Sequence, residues 1–210
     1  MLAERSALLI RQRTNALQYL KKIARDIHLE LTGTKELLTL GYLPGFDPLN
    51  PTHSPNKNDQ FIAEEEAIYE LSDKEVAERY RIILKENRET DIRRGVTTVG
   101  PHRDDFSIFS SGIDLCTYGS RGQIRTALLS LKLAEIEWMR EHTGTAPLLL
   151  LDETLAELDE RRGMDLLNRL ESYDQAILTT TDQHHFPESF SERNTIWQVN
   201  GGMITKPGQA

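Results

Sequence analysis

The apolar residues of this chain fall into short periodic runs, and each run predicts an element. Ala16, Leu20, Ile23, Ile27 and Leu31 recur at steps of four and three, which puts them on one face of a helix. Gly33 follows as a natural stop. Lys35 to Tyr42 predicts a strand ended by Pro44-Gly45. Ser72-Asp73-Lys74-Glu75 is a capping box, and it opens a helix with Val76, Tyr80, Ile83 and Leu84 on its apolar side, ending near Arg94-Gly95.

From Gly95 the texture changes. Val96 to Val99, Phe106 to Phe109 and Ile113 to Thr117 predict short strands. A long helix is expected over Gln123 to Arg140, with Leu128, Leu131, Ala134 and Trp138 on one stripe. Leu148-Leu149-Leu150-Leu151 predicts a buried strand. A helix from about Glu160 to Tyr173, a strand from Ala176 to Thr180 and a last strand from Thr195 to Val199 complete the pattern. Such alternation argues for an α/β fold, a layered sheet with helices, preceded by an N-terminal helical subdomain. The expected division is 1–94 for the helical part and 95–210 for the layered part.

Residues 44–60 form a long Pro-rich loop, with Pro44, Pro48, Pro51 and Pro55 among polar residues. Phe61 to Glu70 fits no single element. Its acidic run, Glu64-Glu65-Glu66, is accounted for by a solvated turn rather than a metal site.

Composition narrows the function classes. The chain has 210 residues and a net charge of -8, so charge alone does not make it a general polyanion binder. Nucleic-acid contact would need a local basic patch or a surface completed by another chain. Lys21, Lys22 and Arg25 form one candidate group, and Lys85, Arg88, Arg93 and Arg94 another. Both are interleaved with acids, and a solvated helix face accounts for each taken singly. No apolar run approaches bilayer length, no signal peptide is expected at Met1 to Arg13, and Cys116 has no second cysteine to pair with. A cytoplasmic protein with no membrane partner is the expectation.

Three segments carry candidate chemistry. The leucine strand ends in Asp152-Glu153. The carboxyl ends of strands in open α/β sheets are where ligands bind. Asp152 could hold Mg²⁺ through water, and Glu153 could polarise an attacking water. A polar loop beginning after a strand explains both acids equally well. The second segment, Gly119-Ser120-Arg121-Gly122-Gln123, opens the long helix, where free N–H groups and the helix dipole attract phosphate. Ser120 with Gln123 is also a capping box that needs no ligand. The third is Leu155-Ala156-Glu157-Leu158-Asp159, where Asp159 either caps the next helix or faces a dimer interface.

The order of these segments is more specific than any one of them. A Ser-x-Gly-Gln helix start, a strand ending in Asp-Glu and a Leu-Asp turn resemble the head of an ABC- or SMC-type ATPase. Gly100-Pro101-His102-Arg103-Asp104-Asp105, the run from Gly119 to Thr126, Leu129 to Glu135, and Leu150 through Arg162 narrow the resemblance to the RecF family. The likeness is specific from about Gly95 to Thr181. Asp26-Ile27-His28 and Leu31-Thr32-Gly33 are similar to that family's helical subdomain.

The resemblance implies a DNA replication and recombinational repair protein, tied to DNA damage and the SOS response, that binds ATP and DNA as a dimer and acts with RecO and RecR on gapped or junction DNA. Carried over, Glu153 is the catalytic residue. Asp152 serves Mg²⁺. Ser120, Gly122 and Gln123 contact ATP held by the partner subunit, and Asp159 sits at the seam. Thr180 and Thr181 stand where related ATPases place a switch residue, and His184-His185 is an ordinary loop feature.

One departure matters for mechanism. No G-x-x-x-x-G-K-[S/T] occurs in the sequence, and neither Lys132 nor Lys206 sits in such a loop. The P-loop half is expected to be absent, as in a split gene product, an expressed fragment or a chain without catalysis. The ATP and Mg²⁺ site would then be composite and inactive in the chain alone, and the uncovered sheet would recruit an N-terminal half or a second copy. The alternative is a non-catalytic module that keeps the RecF fold to bind DNA or repair proteins. A transport or chromosome-organising ATPase is disfavoured by the Gly-Pro-His-Arg-Asp-Asp segment.

Overall fold

A computed structural model describes residues 1–33, 35–49, 68, 70–182, 184 and 186–205. The expectations for Pro51, Pro55, Glu64 to Glu66, His185 and Lys206 fall outside these residues, as does most of the stretch from Phe61 to Glu70. The chain is α/β, and it forms two compact units, Met1–Gly144 and Thr145–Ala210.

The first unit is built on α1 (Leu2–Thr32), a helix of 31 residues that begins well before the predicted face. Gly33 ends it in the left-handed conformation, φ 67°, as the sequence predicted. The helix packs along α2 (Asp73–Glu86) and along the long helix α5 (Arg121–Thr143). The unit also holds an antiparallel sheet ordered β1 (Leu38–Leu43), β2 (Asp105–Ser110), β3 (Ile113–Asp114), with Leu38 opposite Ser110 and Leu43 opposite Asp105. The strand pairing thus crosses residue 94, joining both sides of that position into one unit. Ser111 and Gly112 both carry positive φ, 49° and 82°, and make the two-residue turn between β2 and β3.

Several predicted elements differ. The helix after Ser72 breaks at Asn87, whose side-chain amide donates to the Ile83 carbonyl, and α3 (Arg88–Arg94) follows with no buried residue. Val96 to Val99 is not a strand. Thr98 donates from both its amide and its hydroxyl to Asp91, which folds this segment back onto α3. After Asp114 the predicted strand becomes one helical turn, α4 (Leu115–Tyr118), because Asp114 accepts from the Cys116 amide and the Thr117 hydroxyl. In α5 the predicted stripe is displaced. Leu128 is exposed, whereas Thr126, Ala127, Ser130, Leu133 and Ala134 are buried. Small polar residues occupy that face because it meets α1, where Ser130 pairs with buried His28 at 3.1 Å.

The Gly-Pro-His-Arg-Asp segment is the joint of this unit. The Asp104 side chain is 3% exposed. Its Oδ2 accepts from Tyr42 at 2.5 Å and from Arg13 at 2.7 Å, and its Oδ1 from the Gly45 amide at 2.7 Å. Burial first, and then the Asp104 carboxylate, hold the Tyr42 phenol far above its ordinary range, so it stays a donor. Arg13 also donates to the Pro101 carbonyl. Gly100 adopts φ 130°, and a Cβ there would stand 2.1 Å from the Tyr80 hydroxyl oxygen, so only glycine fits. The apolar core beneath includes Ile10, Phe46, Tyr80 and Val99, with the Phe46 and Tyr80 rings stacked at 4.7 Å.

The second unit is a β-α-β arrangement followed by a hairpin. β4 (Leu149–Leu151) pairs in parallel with β5 (Ala176–Leu178), and α6 (Glu160–Leu170) lies between them in sequence. The helix is shorter than predicted, ending before Tyr173. After α7 (Glu188–Arg193), the predicted final strand is β6 (Gln198–Asn200), and β7 (Met203–Thr205) returns through Gly201-Gly202, both at positive φ. That Gly-Gly pair was the available signal for the missed hairpin.

The leucine strand is not buried on both faces. Leu149 and Leu151 are 5% and 8% exposed, but Leu148 and Leu150 are 47% and 65% exposed, and Ile177 on β5 is 49% exposed. One face packs inward with Leu155, Leu166, Leu167 and Leu170 among the buried residues. Among the described residues nothing covers the other.

Replacing Asp104 with Ala leaves the Tyr42 hydroxyl, the Gly45 amide and the Arg13 guanidinium without their shared acceptor. The expected cost is on the order of 3 kcal/mol, seen as a lower urea midpoint with an unchanged slope. A loss below about 1 kcal/mol would show that the joint carries little of the stability.

Candidate functional site

The residues singled out by sequence occupy three element ends. Ser120 is the N-cap of α5. Its Oγ accepts from the Gln123 amide at 3.3 Å, and the Gln123 side chain accepts from the Ser120 amide at 3.1 Å. Both halves of the capping box are therefore formed. Arg121 and Gly122, in the same first turn, precede any intrahelical acceptor, and Ser120 and Gly122 are exposed. Gly119 before them is sterically required, since a Cβ there would stand 2.6 Å from the Leu115 carbonyl oxygen.

In the second unit, Asp152 and Glu153 directly follow β4. Asp152 is exposed and Glu153 half-buried. Glu153 takes the left-handed conformation, φ 49° and ψ 17°, at a cost of about 1 kcal/mol or more for a residue with a Cβ. The residue that faces this pair is one the sequence reading passed over. Thr179 donates from Oγ1 to Asp152 Oδ1 at 2.5 Å and accepts at that same oxygen from the Glu153 amide at 3.1 Å. Asp152 Oδ2 has no hydrogen-bond partner among the described residues. The signal for Thr179 lay in strand register, since Leu151 opposes Leu178 and the residue after each must meet.

Thr180 closes a local turn, accepting from the Asp182 amide at 3.2 Å, and Thr181 is exposed. The His184 amide donates to Asp182 at 2.9 Å.

Beyond Glu153 the chain makes a 3₁₀ turn, Thr154–Glu157, with Leu155 buried. Asp159 then caps α6, accepting from the Arg162 amide at 3.0 Å, and its other oxygen lies 3.4 Å from the Arg162 guanidinium. Asp159 remains exposed, so the cap leaves it accessible.

Chemically, the second unit offers a carboxylate with one oxygen fixed and one available, next to a second carboxylate on a fixed backbone. The first unit offers a helix N-terminus whose cap and first two residues are exposed. These are the parts that recognise a hydrated divalent cation and a phosphate. Among the described residues no cluster of three or more His, Cys, Asp or Glu side chains forms a cage for a metal ion. A cation here would draw its remaining ligands from water and phosphate. Arg25 pairs with Asp26 at 3.1 Å, and Lys85, Arg88, Arg93 and Arg94 are exposed along α2 and α3 beside Glu86 and Glu89.

The DNA replication and repair protein RecF of Staphylococcus epidermidis is 35% identical over 195 residues, covering 93% of this chain and 48% of the relative. RecF of Staphylococcus aureus is 35% identical over 197 residues, again 93% of this chain and 48% of the relative. A solved structure described as the recombination mediator protein RecF-ATPrS in the RecFOR pathway superposes on 98% of this chain and 48% of its own, with a TM-score of 0.69 at 31% identity. The corresponding RecF-ATP structure gives 0.67 at 32% identity. No protein-family model matches the chain. The chain is RecF-like in sequence and in fold, and it spans about half the length of the curated relatives it matches.

The two caps make separable contributions. Ser120→Ala and Asp159→Ala should each lower stability by about 1 kcal/mol, whereas Asp159→Asn, which keeps an acceptor, should stay near the parent. Thermal melts check this. An Asp159→Asn variant as unstable as Asp159→Ala would show that charge, not capping, is what the helix uses.

Proposed function

We propose that this RecF-like chain is part of a DNA replication and recombinational repair ATPase, and that it contributes the phosphate-facing turn and the carboxylate pair of a composite ATP site. The observation that carries this reading is the Asp152-Glu153 pair presented at the carboxyl end of a parallel strand whose other face is uncovered. Purely parallel sheets are covered on both faces in folded proteins. Exposed Leu148, Leu150 and Ile177 therefore support a covering layer beyond the described residues. The chain's span of about half its relatives provides a source for that layer.

In this reading the layer is a P-loop-bearing half, which holds the nucleotide. Asp152 serves Mg²⁺ through its available oxygen, and the ion neutralises charge on the phosphates. Glu153 orients and polarises the attacking water. Ser120, Gly122 and Gln123 meet the γ-phosphate of a nucleotide held by the partner subunit, and Asp159 lies at the dimer seam. The functional division is a helical part, 1–94, and the C-terminal part of an ATPase head, 95–210. The RecFOR pathway named for the solved RecF structures supplies the partners by analogy: gapped or junction DNA, with RecO and RecR. Action in the DNA-damage and SOS responses and a cytoplasmic location complete the reading. No helix among the described residues is long and apolar enough to cross a membrane.

One observation favours a second reading. The capping oxygens of Ser120 and Asp159 are already used within their own helices, as a non-catalytic module retaining the RecF fold for binding DNA or repair proteins would require.

The purified chain should show no ATP turnover, whereas its mixture with a P-loop-bearing RecF N-terminal half should turn ATP over. Glu153→Gln should reduce the mixture's rate by roughly 10² or more. A complex that forms but hydrolyses nothing would favour the binding module. Turnover by the chain alone that is lost in Glu153→Gln would overturn the composite site.

Sedimentation checks the uncovered face. At micromolar concentration the chain should self-associate, and Leu150→Lys should shift it toward monomer. A stable monomer of the parent chain would remove the argument for a missing layer.

A further inference from the structure

Thr179 directly follows β5 and faces the acidic pair. We propose that Thr179 is the positioning residue of the carboxylate pair: its hydroxyl fixes which Asp152 oxygen faces a cation and where the Glu153 side chain departs. The inference rests on the reading of Asp152 and Glu153 as an ATP-site pair.

Thr179 is bonded to three consecutive residues. Its amide donates to the Leu151 carbonyl at 3.0 Å, its hydroxyl donates to Asp152 Oδ1 at 2.5 Å, and the Glu153 amide donates to that hydroxyl at 3.1 Å. A hydroxyl has one proton and two lone pairs. Donating the proton to the carboxylate leaves the lone pairs for the amide, so one group satisfies both neighbours with fixed polarity. The β-branched side chain restricts χ1 and keeps the hydroxyl aimed.

The consequences differ for the two acids. Asp152 has Oδ1 occupied and Oδ2 open, so it offers a cation one oxygen in a set direction. Glu153 sits in a left-handed conformation that residues with a Cβ rarely adopt, and the bond to its amide holds it there. The arrangement acts through the two acids, since nothing places Thr179 itself on a phosphate or a water. Threonine is also specific among residues of its size. Valine matches its shape and can make neither bond, whereas serine keeps the hydroxyl and loses the methyl.

Two measurements test the proposal. The first is amide hydrogen exchange on the chain alone. Thr179→Val should speed exchange of the Glu153 amide about fivefold or more, the loss of one modest hydrogen bond. The amide of residue 179, bonded to Leu151, should keep its protection, and Thr179→Ser should resemble the parent. Should valine disturb the strand pairing, Thr179→Ala removes the same hydroxyl and replaces it. An unchanged Glu153 amide with residue 179 still protected overturns the clamp.

The second is turnover after completion with the P-loop-bearing half. Thr179→Val should lower kcat by roughly 10- to 100-fold with KM for ATP within about twofold, and Thr179→Ser should restore kcat. A normal kcat in Thr179→Val, or a change confined to KM, overturns the positioning role. Absence of turnover in the completed parent protein sinks the composite-site reading instead. The exchange measurement then decides whether the clamp exists.

Discussion

The first unit depends on one buried carboxylate. Asp104 joins Arg13 of α1, Tyr42 of β1 and the backbone at Gly45, so a single side chain fixes a helix, a strand and a turn. Each donor is needed, because a carboxylate this enclosed is costly unless its oxygens are filled. The same constraint explains its neighbours. The Gly100 carbonyl excludes a side chain at Gly45, the Tyr80 hydroxyl excludes one at Gly100, and the 3₁₀ turn Pro101–Arg103 delivers Asp104 to the pocket. The segment that carries the family resemblance is thus an architectural joint. Its exposed members, His102 and Arg103, reach the Thr97 carbonyl.

The two units solve the problem of covering a sheet differently. In the first, the strands are antiparallel and are packed by α1 and α5 of the same chain. In the second, a parallel pair has apolar side chains on both faces but a cover on only one. The β6–β7 hairpin repeats the point: Val199 and Ile204 pair across it and are 70% and 63% exposed. A two-stranded hairpin gains little stability from its own contacts. The unit that carries Asp152 and Glu153 thus exposes apolar side chains on both of its strand pairs, and the proposed completing layer would cover the parallel one.

How much was legible in the sequence follows from which interactions are local. The capping boxes at Ser72 and Ser120, the Asp159 cap and the Gly33 stop were all readable, because each is decided within a few residues. Elements shaped by distant partners were not. Thr98 is pulled onto Asp91, which removes the strand expected at Val96 to Val99. The α5 stripe rotates because α1 presents His28 to Ser130. The leucine strand read as doubly buried because an unbroken apolar run hides the alternation of a strand, which buries Leu149 and Leu151 and exposes Leu148 and Leu150. At the candidate site, the placement of Asp152 and Glu153 at the strand end was legible, and Thr179 was not. Its role depends on the parallel register between β4 and β5, which no local pattern encodes.

Glu153 shows why such a register matters for chemistry. A left-handed backbone at a residue with a Cβ is unfavourable, and nothing in the local sequence demands it, since a glycine there would remove the strain. Glycine, however, would supply no carboxylate. The fold holds a charged side chain in a conformation suited to glycine, and the opposing strand contributes the bond that maintains it. Strain alone does not prove function. Here it coincides with an acidic pair, with a carboxylate oxygen left open and with a strand end where ligands bind in parallel sheets. A site whose geometry is set by pairing between strands is also sensitive to whatever completes the sheet. A layer docking on Leu148, Leu150 and Ile177 would press on the strands that Thr179 bridges, so assembly and alignment of the carboxylates would be coupled through the same few hydrogen bonds.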